Sequence, residues 1–318
     1  MDTKYILTLL VFLMVSILYN NYKGNTDKDE AEKHYDLVRE YLLNDSALAQ
    51  NKLPIIWIHM TYDINARDWP SFYSRNTCDL NQPYQYLTVK SIIDKCGNDF
   101  NICLIDDNSF EKILPEWNIN VKLVAEPIRS KIRKLALSKT LYQYGGMLVP
   151  GSFICKSNLK PLYDNMTGNN MMFAGEMMDR NSTSDRVNFF PSTKIMGCNK
   201  KCNKMLELIN SMEQIIAKDY TDESNFTGEF DRWLYKNKDN INIVSARLLG
   251  IKDYNNNPIV IEQLLGSSYI DLCDNAFGVY IPENEILNRT AYQWFARLSP
   301  GQVLDSDTMI GKLLVANQ

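Results

Sequence analysis

Leu141-Tyr142-Gln143-Tyr144-Gly145-Gly146-Met147-Leu148-Val149-Pro150-Gly151-Ser152-Phe153 is the stretch on which the reading of this chain turns. The residues before it, from Pro127 to Tyr144, predict a helix. One stripe of that helix carries Ile128, Ile132, Leu135 and Tyr142, and a second carries Leu137, Leu141 and Tyr144. A helix apolar on two sides is usually sandwiched between layers. Gly145-Gly146 stops it, as glycine does at a helix C-terminus. Met147-Leu148-Val149 then restarts as a strand, which Pro150-Gly151 ends.

The same alternation extends in both directions. Upstream, Leu53 to His59 is an apolar run bounded by Pro54 and polar residues, the pattern of a buried strand. A helix follows over about residues 83–95, with Tyr86, Val89, Ile92 and Ile93 on one side. Asn101 to Asp107 is a short apolar run that ends in two carboxylates, and Val121 to Ala125 predicts a further strand. Downstream come a short strand at Met171 to Ala174, an amphipathic helix from Cys202 to Ala217 and a helix from Glu229 to Tyr235. Beyond about residue 240 the signal weakens to short strands and loops. Strand and helix in alternation predict an α/β domain with a mostly parallel sheet and helices on both faces. In such sheets ligands bind beyond the carboxyl ends of the strands. Three places qualify: the loop after His59, Asp106-Asp107, and Pro150 to Ser152.

The 318 residues carry a formal net charge of −4. That balance gives none of the basic footprint that nucleic acid requires. Seven cysteines scattered through a chain of this length do not make a small secreted disulfide framework. Cys198 and Cys202 lack the second Cys or His pair of a zinc site, so they read as a local disulfide or two buried thiols. At the N-terminus, Tyr5 to Tyr19 is uncharged and apolar, which predicts an uncleaved membrane anchor over residues 1–22. A polar helical stalk over residues 23–50 and one domain over 51–318 complete the expected organisation.

The order Ile-Ile-Trp-Ile-His, then Leu-Ile-Asp-Asp, then Leu141-Tyr142-Gln143-Tyr144-Gly145-Gly146-Met-Leu-Val resembles the glycosyltransferases with a DxD sugar-binding region. These include fungal initiating mannosyltransferases and bacterial capsular polysaccharide synthesis proteins. The resemblance covers about residues 53–175. It implies a GT-A-like, Rossmann-type fold that transfers a sugar from a nucleotide diphosphate donor. In that family the strand after the glycines delivers two carboxylates, which hold the donor's diphosphate through a divalent cation. Here Pro150 and Ser152 stand at the two matching positions. Lys134 and Leu137 occupy the places of the family's Asp and Arg on the preceding helix, and the chain has only His34 and His59 to offer as a late histidine. No metal cofactor is therefore expected. The Gly-Gly-Met-Leu-Val-Pro-Gly-Ser-Phe stretch is also similar to a membrane-anchored family of large nucleocytoplasmic DNA viruses, and the abundance of Asn, Lys and Ile suits an AT-rich source. That likeness implies a host endomembrane or the virion membrane as the location.

The resemblance implies a nucleotide-sugar site drawn from Trp57, His59, Asp106, Asp107, Arg129, Arg133, Gly145, Gly146 and Ser152. Arg129, Lys131, Arg133 and Lys134 could neutralise a diphosphate directly, or simply form a solvated helix face. Asp106-Asp107 could contact the ribose or base, or cap a turn. His59 could enter the pocket or serve the structure. Glu229 and Asp231 are candidates for a general base acting on an acceptor hydroxyl, with a helix N-terminus as the alternative role. Two functions follow. One is a membrane-anchored hexose transferase acting on a glycan or protein acceptor. The other is an inactive GT-A-fold protein that binds a protein partner, such as a viral capsid or membrane component.

Overall fold

A computed structural model describes residues 53–60, 82–115, 117–178, 190–218 and 228–317. The expected anchor and stalk lie outside these residues. Among the described residues no helix is long and apolar enough to cross a membrane.

The described residues fall in two compact units. The small one spans residues 108–119, where Phe110 packs on Trp117 with ring centroids 5.9 Å apart. The large one, Leu53–Asp107 with Asn120 onward, carries the sheet. In chain order the elements begin β1 (Ile55–His59), α1 (Tyr84–Cys96), β2 (Asn101–Ile105), α2 (Ser109–Ile113), α3 (Ile128–Tyr144), β3 (Gly146–Leu148) and β4 (Phe153–Cys155). They continue with α4 (Lys160–Met166), β5 (Phe173–Glu176), β6 (Pro191–Cys198), α5 (Asn203–Ala217), α6 (Glu229–Lys236) and β7 (Asn242–Val244). Short helices dominate the end: α7 (Ile261–Leu265), β8 (Gly278–Tyr280), α8 (Glu283–Asn288), α9 (Pro300–Leu304) and α10 (Met309–Ala316).

The central sheet has the order β2-β1-β3-β6-β5-β7. β1 pairs in parallel with β2 and with β3, and β5 in parallel with β7. β6 alone runs antiparallel, between β3 and β5. The mixed α/β architecture with a mostly parallel sheet is the one the sequence predicts. β6 is the departure: Pro191 at its start and Lys194 inside it interrupt the apolar run that would have announced a strand. The strand expected at Val121 to Ala125 is instead a single 3₁₀ turn, Val121–Leu123. Leu123 is 84% exposed and the Asn120 side chain accepts the Lys122 N–H, so this segment has no strand face to bury.

Alternation along β1 clothes both faces of the sheet. Ile56 and Ile58 join Val89 and Ile92 of α1, Phe153 and Phe173 in the main core. Trp57 points the other way, 5.7 Å from the ring of Tyr144 at the end of α3, and its indole N–H donates to the Gly145 carbonyl at 3.0 Å. The β4–β8 ribbon lies between two cores. Phe153 and Tyr280 face the main one, and Ile154 and Val279 face a second built from Tyr84, Phe295, Ile310 and neighbours. Cys198 and Cys202 are both buried free thiols.

Candidate functional site at the carboxyl edge of the sheet

Parallel pairing brings the ends of β1, β2 and β3 to one edge. His59 pairs in register with Ile105, which places Asp107 just beyond that rung. Asp107 is held from two sides. Arg133, a turn and a half into α3, donates from Nε at 2.9 Å to Oδ1 and from Nη2 at 2.7 Å to Oδ2, and His59 Nε2 lies 3.0 Å from Oδ1. The three side chains are 9%, 15% and 10% exposed for Asp107, Arg133 and His59. Burial alone would raise the Asp107 carboxyl, but the hydrogen bonds from His59 and Arg133 and the guanidinium charge outweigh it and bring it to about 2. Asp106 stands at the same strand end.

The other basic residues of α3 and its approach are also engaged. Arg129 Nε donates to the Val124 carbonyl at 2.6 Å. Lys131 Nζ lies 3.8 Å from a carboxylate oxygen of Glu229 at the start of α6. Asp231, in the same first turn, is 2% exposed and accepts the backbone N–H of Thr193 at 3.1 Å, tying α6 to β6.

The corner after β3 is closed. The Gly151 carbonyl accepts the Thr88 hydroxyl of α1, and the Ser152 carbonyl accepts the Ile281 N–H at 3.0 Å. A Cβ on Gly151 would stand 2.3 Å from the Met60 sulfur, so only glycine fits without displacing that side chain. Ser152 is fully buried, and its Oγ has no hydrogen-bond partner among the described residues. A buried, unsatisfied hydroxyl costs about 1–3 kcal/mol. Ser152→Ala is therefore expected to leave stability unchanged or raise it by up to about 1 kcal/mol, read by thermal unfolding. A loss larger than that would mean the hydroxyl is partnered.

The structure thus gathers His59, Asp107 and Arg133 into one cluster and sets Asp106 beside it. Gly145 and Gly146 lie at the amino end of β3, the opposite edge of the sheet, and Trp57 is in mid-strand. Glu229 and Asp231 are at the α6 N-terminus, facing Lys131 and β6 respectively. Among the described residues no three His, Cys, Asp or Glu side chains converge as a metal cage. Sequence reasoning missed Lys194, Tyr280 and Glu285, which line a cavity farther along the same edge. The available signal was Lys194 itself, a lysine inside an otherwise buried eight-residue strand.

No family model matches the sequence, and no curated protein does. Solved structures offer distant likenesses. The glycosyltransferase GlyE of Streptococcus pneumoniae TIGR4 is 10% identical, with 80% of this chain and 63% of that one covered and a TM-score of 0.43. The apo form of GlyE is 10% identical, with 62% of this chain and 46% of that one covered and a TM-score of 0.38. The galactosyltransferase LgtC, in complex with donor and acceptor sugar analogs, is 11% identical, with 61% and 74% covered and a TM-score of 0.32. The chain therefore spans less than two thirds of either GlyE chain it matches. Its own topology is a mixed sheet with mostly parallel pairing.

Proposed function

We propose that this protein is a membrane-anchored, glycosyltransferase-like protein that takes a nucleotide-sugar at the carboxyl edge of β1–β3, without a divalent cation held by the β3 corner. One observation carries the reading. The corner offers Pro150 and a buried Ser152 where a cation would need carboxylates, while the first two turns of α3 carry Arg129, Lys131, Arg133 and Lys134, and Arg133 reaches the end of β2 at Asp107. The residues present do not suit a divalent ion, which takes hard oxygen ligands and favours carboxylates. Guanidinium and ammonium groups can offset a diphosphate's charge instead. The His59–Asp107–Arg133 cluster would fix Arg133 at the strand ends, with Asp106 beside it for the nucleoside. The uncharged run Tyr5 to Tyr19 supports the anchor. The test is thermal unfolding of the full chain in detergent against a panel of nucleotide-sugars. At least one donor should raise the midpoint, since a ligand at about a hundred times its Kd adds about 2.7 kcal/mol.

A second reading has its own observation. Arg133 and Lys131 already have carboxylate partners in Asp107 and Glu229, which suits a fold kept as a scaffold for a protein partner, such as a viral capsid or membrane component. A midpoint unmoved by every donor, together with co-purification of one partner at fixed stoichiometry, would select it.

A further inference from the structure

The last residue of α1 and the last residue of β4 are cysteines that face each other. Their sulfurs, on Cys96 and Cys155, lie 3.8 Å apart. All the described cysteines are free thiols. Both members of this pair are fully buried, in the main core that also holds Val89, Ile92, Phe153 and Leu159.

The backbones that carry them are already joined. The Cys155 N–H donates to the Ser91 hydroxyl of α1 at 2.9 Å, and one turn earlier the Thr88 hydroxyl donates to the Gly151 carbonyl. The sulfurs need only close from contact to the bond length of about 2.05 Å. The two thiols are not equivalent. The hydrogen bond from Cys155 lowers the Cys96 pKa, and the Leu159 N–H, 3.5 Å from the Cys96 sulfur, adds to that effect. The same hydrogen bond, together with burial, raises Cys155. Cys96 is thus the member that forms a thiolate, and Cys155 the one that keeps its proton.

We propose that Cys96 and Cys155 are a redox pair that closes to a disulfide under oxidising conditions and staples α1 to β4. The oxidant is a small-molecule disulfide of the glutathione class. The Cys96 thiolate attacks one of its sulfurs, forms a mixed disulfide and releases one thiolate. Cys155 passes its proton to that thiolate and attacks the Cys96 sulfur, expelling the second thiolate, which takes up the proton that Cys96 gave up. Two protein thiols lose two electrons and two protons, and one oxidant disulfide becomes two thiols. Both sulfurs are buried, so the exchange proceeds when the end of α1 opens. The bond joins residues 59 apart in sequence, and the stretch it encloses carries Asp107, Arg133 and the corner from Pro150 to Ser152. Closing a loop of that length restricts the unfolded chain and stabilises the fold. The redox state of this pair therefore sets how firmly the strand-end cluster is held, whatever ligand that cluster takes.

The experiment equilibrates the full chain in detergent with reduced or oxidised glutathione until its mass stops changing, then alkylates the remaining thiols. Peptide mapping by mass spectrometry should find Cys96 joined to Cys155 only after oxidation. The thermal midpoint should rise by roughly 5 °C or more on oxidation. Cys96→Ala and Cys155→Ala should each lose that rise. Cys96 and Cys155 both alkylated after oxidation, a rise undiminished in both variants, or a joined pair with no rise at all overturns the proposal. The mapping uses the unaltered chain, so it decides the matter even if a variant fails to fold.

Discussion

Asp107→Ala will destabilise the domain by about 3 kcal/mol, because it takes the close partner from a mostly covered guanidinium and leaves Arg133 only the exposed Glu126 carboxylate at 3.8 Å. Arg133 spends both its fork-like donors on this carboxylate, and His59 leans on the same oxygen. With nine-tenths of the carboxylate side chain covered, water cannot fully replace it. Removing one member of such a pair costs about 3–5 kcal/mol, well above the worth of an exposed pair. Urea unfolding at neutral pH reads the change, and a loss below about 1 kcal/mol would place the cluster in open solvent. The pH dependence has a definite sign. The folded carboxyl titrates at about 2, below the value of about 3.9 in an unfolded chain. A depressed carboxyl stabilises the fold above its unfolded value and loses that contribution as the pH falls toward its folded one. Roughly 2–3 kcal/mol should therefore disappear progressively between about pH 5 and pH 1. Asp107→Ala should lack that component of the acid transition.

Gly146→Ala is expected to prevent folding, or to cost about 4 kcal/mol or more if folding survives. Gly146 has φ +95°, a conformation L side chains rarely adopt. A Cβ there would lie 2.1 Å from the Ile55 carbonyl oxygen and 3.1 Å from the Ile55 nitrogen. Those are backbone atoms of β1, in the middle of the parallel sheet, so nothing flexible can yield. Gly145 has the milder conflict, 2.8 Å to the Lys200 nitrogen at φ +76°. Expression yield and circular dichroism measure the effect. A Gly146→Ala variant with near-native stability would refute the placement of this turn against β1.

Much of this fold is legible in the sequence because local signals and burial agree. The helix before Gly145 and the strand after it are written by a double apolar stripe, two glycines and a short apolar run, and the structure has α3 and β3 there. Residues 101–107 announce β2 and its terminal acids in the same way. β6 is not legible, because its pairing is non-local and its sequence mixes a proline, two hydroxyl residues and a lysine. The site is half legible. His59, Asp107 and Arg133 can each be suspected from a strand end or a basic helix, yet nothing in the spacing says that one carboxylate will join the other two. The cavity at Lys194 depends on the direction of β6 and on the path of the chain from β8 into α8, and neither leaves a local mark.

The central claim is that a nucleotide-sugar is held by protein cations, without a metal at the β3 corner. Calorimetry of the full chain in detergent, titrated with nucleotide-sugar donors in manganese and again in EDTA, addresses it most directly. The account predicts one donor that binds with the same affinity in both. A donor that binds only in manganese, or a panel in which none binds at all, would contradict it.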